Sequence, residues 1–131
     1  LNFLGRGQSH LIPKFGLVSG RDCEKLADVA YDLRASGSPV LEECWGYLDC
    51  RVVNALDGGD MTCFLGDVLE GNTLSDDGPL WWRDAQKMLP AEVIQEWDRK
   101  IGRERELSAS LMDNIDFTPW RAETRSSNTS R

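Results

Sequence analysis

Two stretches of the chain are rich in β-branched and aromatic residues and carry few consecutive polar positions. "VLEECWGYLDCRVVNAL" and "MTCFLGDVLEG" flank the short polar break "DGGD", which is the pattern of two long antiparallel strands joined by a tight turn. Leu48, Cys50 and Val52 fall on one face of the first strand; Thr62, Phe64, Gly66 and Val68 fall on one face of the second. Gly66 inside a strand marks a bulge or a close approach by another group. Upstream, "LNFL" predicts a short strand cut by Gly5-Arg6-Gly7, and a polar segment leads into the glycine-containing loop "KFGLVSGRD". Leu26, Val29, Ala30 and Leu33 in "CEKLADVAYDL" have helical spacing and predict a short amphipathic helix, ended by "ASGSP". "SDDGPLWW" predicts a turn and a short strand.

The period changes at Asp84. Ile94, Trp97, Ile101 and Leu111 form an apolar stripe among charged residues, and Pro90 suits a first helical turn, so one helix is predicted over Pro90–Asn114, with Gly102 as its weak point. Glu92 and Glu96 precede later basic residues and give favourable pairs on the exposed face. "TPWRAETRSSNTSR" is too polar to fold unless Trp120 docks, and is expected to be disordered. No internal repeat is visible.

A length of 131 residues suits one core. Lysine and arginine total 15 against 22 aspartates and glutamates, a net charge of −7, which repels a phosphate backbone and argues against nucleic acid as a partner. His10 is the single histidine, so no His-based metal site is expected. With a turn at Gly58-Gly59, Cys50 would face Asp67 and Cys63 would face Asn54. That four-residue offset is about 13 Å, beyond disulfide reach. Cys23, Cys44, Cys50 and Cys63 are therefore expected to be free, as in a reducing, cytoplasmic setting, and the glycosylation-like Asn128-Thr129-Ser130 is expected to be a chance match. No apolar run is long enough to span a bilayer, and no membrane partner is expected.

No acid–base pair or nucleophile set emerges from the residues. His10 lacks a companion nucleophile motif, Asp57, Asp60, Asp76 and Asp77 lie in turns, and "GRG" lacks the context of a phosphate loop. Three segments go further. "FGLVSGRDCEKL", "GSPVLEECWGYLDCRVV" with its Leu48-Asp49-Cys50 ending, and "GGDMTCFLGDV" with Gly59, Asp60, Thr62, Gly66, Asp67 and Val68 follow in an order that resembles the flavin reductase-like domain, the FMN-binding split barrel. "GPLWW" is similar to that family's last strand. The resemblance covers about residues 2–83 and implies a mainly β fold: an antiparallel split barrel with peripheral helices and a C-terminal helical extension. Residues 1–83 would be a partial barrel domain, 84–114 the extension and 115–131 a disordered tail. "LNFL" matches a strand that in the family follows others, so the chain is expected to be a fragment.

The resemblance also implies a homodimer that binds FMN or FAD and passes a hydride from NADH or NADPH to the flavin, the electrons going on to a flavin-dependent monooxygenase or another acceptor. The cofactor does the hard chemistry, so a missing acid–base pair is no obstacle and no catalytic residue is assigned. Ser19, Gly20, Arg21, Asp22 and Lys25 would lie beside the flavin, with Arg21 and Lys25 as phosphate or ribityl partners. Asp60, Met61 and Trp82 would border the nicotinamide face. Met61 stands where the family usually has histidine; losing one orienting hydrogen bond costs about 1 kcal/mol, which re-tunes nicotinamide use without abolishing turnover. A non-catalytic flavin-binding or interaction module is the alternative.

Overall fold

The computed structural model describes residues 1–112 and 120–121. Its centre is an antiparallel hairpin of two twelve-residue strands, β4 (Gly46–Asp57) and β5 (Thr62–Thr73). β1 (Asn2–Phe3) and β6 (Trp120–Arg121) pair with β4 at its two ends, β1 at Gly46–Tyr47 and β6 at Asn54–Ala55. A second, two-stranded sheet is made by β2 (Tyr31–Leu33) and β3 (Pro39–Leu41). Helices α1 (Leu11–Gly16), α2 (Trp82–Met88) and α3 (Ala91–Leu111) lie outside the sheets. The fold is mainly β and antiparallel with peripheral helices and a C-terminal helical extension, as the resemblance implied.

The hairpin turns through four residues, 58–61, not two. Gly58 donates its N–H to the Met61 carbonyl at 2.8 Å, Gly59 adopts φ +87°, and the Asp57 carboxylate accepts the Gly59 N–H at 2.8 Å. The longer turn moves the register, so Cys50 faces Val68 and Cys63 faces Leu56, in place of Asp67 and Asn54. Two bulges on opposite strands modify the shift, Val53, extra on β4, reducing it by one residue and Leu69, extra on β5, restoring it. Gly66 pairs with Val52, directly beside the first of them. All four cysteines are free.

Burial is concentrated at the base of the hairpin. Leu11, Val40, Leu41, Cys44 and Tyr47 form the core, with Leu4, Phe15, Leu26 and Val29 packed around it. Farther out, Val52, Leu56, Phe64, Leu65 and Val68 are exposed. The expected single strand run splits in two, because Glu43 takes a left-handed conformation (φ 60°) between β3 and β4.

The short helix expected in "CEKLADVAYDL" does not form. Residues 25–28 are a turn, Asp28 has φ 59°, and Tyr31–Leu33 pairs with Leu41–Pro39 as β2. A left-handed residue in mid-segment is incompatible with helix, and a turn followed by a strand still delivers Leu26 and Val29 to the core. A helix forms instead at Leu11–Gly16, where a loop was expected. Pro13 sits in its first turn, where its missing N–H costs nothing. The expected strand at Pro79–Trp82 reduces to a single bridge between Pro79 and Gly5, and Trp82 opens α2.

α3 runs unbroken through Gly102, with Pro90 as its N-cap, and half-buries Ile94, Trp97 and Ile101 as their spacing implied. Its expected last residues, 113–114, lie outside the described residues, as does the expected disordered tail apart from Trp120–Arg121.

Candidate functional site

α1 is only six residues long, and three lysines gather around it. Lys25 donates its Nζ to the Phe15 carbonyl at 2.6 Å, Lys100 from α3 donates to the Gly16 and Leu17 carbonyls at 2.6 and 3.4 Å, and Lys14 reaches the Ala27 carbonyl. The last carbonyls of a helix have no partners of their own and carry the negative end of its dipole, so cations collect there. The loop that follows is held by its own Ser19. The Ser19 hydroxyl accepts the Arg21 N–H at 3.2 Å, and its carbonyl accepts the N–H groups of Asp22 and Cys23 at 3.1 and 3.3 Å. Ser19, Gly20, Arg21 and Asp22 are exposed and Lys25 is half-buried.

Trp82 stacks on Trp97 of α3, ring centroids 4.9 Å apart and planes tilted by 39°. Trp97 in turn packs on Gly16. Lys25 and Trp82 are therefore both tied to the end of α1, Lys25 through Phe15 and Trp82 through Trp97. Asp60 and Met61 do not join them there. The Asp60 carboxylate accepts a hydrogen bond from the Ser108 hydroxyl, eleven residues after Trp97 along α3. At 1.5 Å per residue the two contacts are about 16 Å apart along the helix axis. Met61 is 66% exposed at the hairpin tip. α3 thus touches both parts of the expected nicotinamide face, a role the sequence did not disclose because Trp97 reads as an ordinary member of an apolar stripe.

A second polar centre lies at the hairpin's base. Asp49 is 2% exposed and accepts the Ser36 N–H at 2.8 Å and the Ser36 hydroxyl, so the β2–β3 turn is pinned to β4. The Ser36 side chain, then its backbone N–H, hold the Asp49 carboxyl below the usual carboxylate range. Tyr47 donates its hydroxyl to Glu70 at 3.0 Å beneath the Arg34 guanidinium, 5.1 Å above its ring; burial and the Glu70 bond push its pKa up. Burial likewise raises the Cys44 thiol. These residues brace the sheet, which explains why an acid stands between Leu48 and Cys50. Among the described residues no cluster of three or more His, Cys, Asp or Glu side chains has metal-binding geometry. Among the described residues no helix is long and apolar enough to cross a membrane.

The family model described as flavin reductase like domain matches residues 1–89. The chain belongs to that family. Over 80 residues it is 42% identical to the reductase component of a 4-nitrophenol 4-monooxygenase/4-nitrocatechol 2-monooxygenase from Rhodococcus opacus, an alignment covering 57% of this chain and 41% of that protein. It is 35% identical over 83 residues to a putative diflavin flavoprotein from Nostoc, covering 60% of this chain and 14% of the other. Among solved structures it resembles a nitrilotriacetate monooxygenase component B from Mycobacterium thermoresistibile, with a TM-score of 0.51 and 29% identity over 60% of this chain and 42% of that one. The chain spans less than half the length of each of these proteins. α3 lies beyond the family match.

Proposed function

We propose that the protein is an NAD(P)H-dependent flavin reductase that binds FMN, with FAD as the alternative, and transfers a hydride from the nicotinamide to the flavin. The observation that carries this reading is the hairpin itself. Leu48-Asp49-Cys50 lies antiparallel to the strand bearing Gly66, Asp67 and Val68, with Gly59 and Asp60 in the connecting turn, inside the span matched by the family. A monooxygenase reductase component among the relatives, and a monooxygenase component B among the solved structures, support the same direction.

The residues fit the group. Arg21 is exposed and makes no ion pair among the described residues, so its guanidinium is available to a phosphate. Lys25 serves the same ligand if its ammonium turns from Phe15, and Ser19, Gly20 and Asp22 supply the loop. Asp60 and Met61 are proposed to border the nicotinamide; Trp82, whose contact on α3 lies about 16 Å from theirs, is too far away to share that face. When bound, the flavin supplies the hydride-accepting chemistry; the protein's part is to bind, orient and exclude water. A homodimer in the cytoplasm, delivering reduced flavin to a monooxygenase, completes the proposal.

One observation favours a second reading, a non-catalytic flavin-binding or interaction module: Asp60 is already bonded to Ser108 and its neighbour is a thioether instead of an imidazole. Titrating FMN or FAD while following flavin fluorescence tests the feature shared by both readings. Saturable quenching is expected, weakened in Arg21→Ala. Unchanged fluorescence at high protein concentration would remove both.

A further inference from the structure

We propose that the open cavity lined by β1, α1, β3, α2 and α3 binds a flat aromatic anion of the aryl carboxylate or phenolate class. The cavity has a volume of about 470 Å³, walled by Leu11, Phe15, Leu41, Trp82 and Trp97 with Gly16 at one corner. That is the size and apolar character of a small-ligand site. The tilted Trp82–Trp97 pair and Phe15 present aromatic surface, against which a planar ring packs well.

Charge sits at one corner only. None of the lining side chains is ionised, but the Lys25 and Lys100 ammonium groups each lie 2.6 Å from a carbonyl of a lining residue, Phe15 and Gly16. Lys25 makes that one bond, so two of its ammonium donors remain; Lys100, already shared among Gly16, Leu17 and Glu104, contributes charge alone. The acid nearest the pair is Glu104, 3.6 Å from Lys100; Glu24 is turned onto the Leu26 N–H at 3.1 Å. Two cations against one facing carboxylate make this corner positive in a chain whose net charge is −7. The Asn2 amide is committed to the Pro39 carbonyl and the Leu41 N–H, leaving shape and one negative group at the Gly16 end as the selecting features.

This site shares Lys25 with the flavin reading, whose phosphate partner of choice, Arg21, is not among its walls, so competition with FMN is part of the test. Calorimetric titration of the protein with cinnamate and with its neutral isostere cinnamamide tests it. Cinnamate should bind about tenfold more tightly, the worth of a charge-assisted hydrogen bond. Added salt should narrow that gap, and cinnamate should shift the indole N–H resonances of Trp82 and Trp97. In Lys25→Gln/Lys100→Gln, checked for folding by circular dichroism, cinnamate should fall to the level of the amide; if that variant does not fold, the salt dependence and the indole shifts of the native protein decide. Equal affinities, absence of binding, or unmoved indole signals would overturn the proposal. So would displacement of cinnamate by FMN, which would assign the cavity to the flavin.

Discussion

Trp97 occupies the space that a side chain at residue 16 would need. A Cβ built on Gly16 would lie 2.4 Å from its Cζ3 and 2.6 Å from its Cη2, well inside van der Waals contact. The contact fixes α3 against the end of α1, and the Lys100 bonds to Gly16 and Leu17 reinforce it.

Gly16→Ala should therefore destabilise the protein by about 1–3 kcal/mol, the usual cost of overpacking, read as a lowered urea midpoint. Adding Trp97→Leu should recover part of that loss, since the two substitutions share one contact and cannot be additive. Independent, additive effects would place Trp97 elsewhere.

The glycines of β5 should differ sharply in tolerance. A Cβ on Gly71 would meet Leu48 Cδ2 at 2.6 Å and the Tyr47 carbonyl at 2.9 Å, whereas one on Gly66 would meet nothing nearer than 3.4 Å. Gly71→Ala is expected to cost about 1–3 kcal/mol and Gly66→Ala to change stability little. Thermal unfolding of the two variants side by side checks the order.

Asp49 should set part of the acid limit of stability. Its folded pKa is depressed by the Ser36 bonds, so its contribution is complete above the unfolded carboxylate value, about 3.9, and disappears as pH falls through the lower folded value. Asp49→Asn should lower the unfolding midpoint at neutral pH and flatten its fall below pH about 4. A parallel downward shift at all pH values would assign the acid sensitivity to other groups.

Met61→His would restore an imidazole beside Asp60. One orienting hydrogen bond, about 1 kcal/mol, corresponds to a roughly fivefold lower KM for the reduced nicotinamide, with flavin affinity unchanged. Steady-state kinetics with NADH and with NADPH reads both quantities.

The hairpin was legible because its two apolar runs and the Asp-Gly-Gly break point the same way, and α3 because Ile94, Trp97 and Ile101 keep one period among charges. The register was not, because neither the four-residue turn nor the bulges at Val53 and Leu69 leave a local signature in side-chain alternation. Leu26 and Val29 were correctly apolar and core-packed, yet their spacing suits a turn as well as a helix, and only the left-handed Asp28 decides between them. α1 escaped notice because six residues hold too few turns to show a period. At the candidate site the loop 19–25 and the turn at Asp60 were assigned through motif order alone. Their separation along α3 depends on Trp97 and Ser108, whose contacts are tertiary.

The central claim is hydride transfer from nicotinamide to a flavin held by this domain. Anaerobic stopped-flow mixing of the FMN-loaded protein with NADH, and separately with NADPH, measures it directly. The account predicts bleaching of the flavin's visible absorbance with at least one nicotinamide, at a rate that saturates with its concentration. Quenched but unbleached flavin with both would contradict it and leave a binding module.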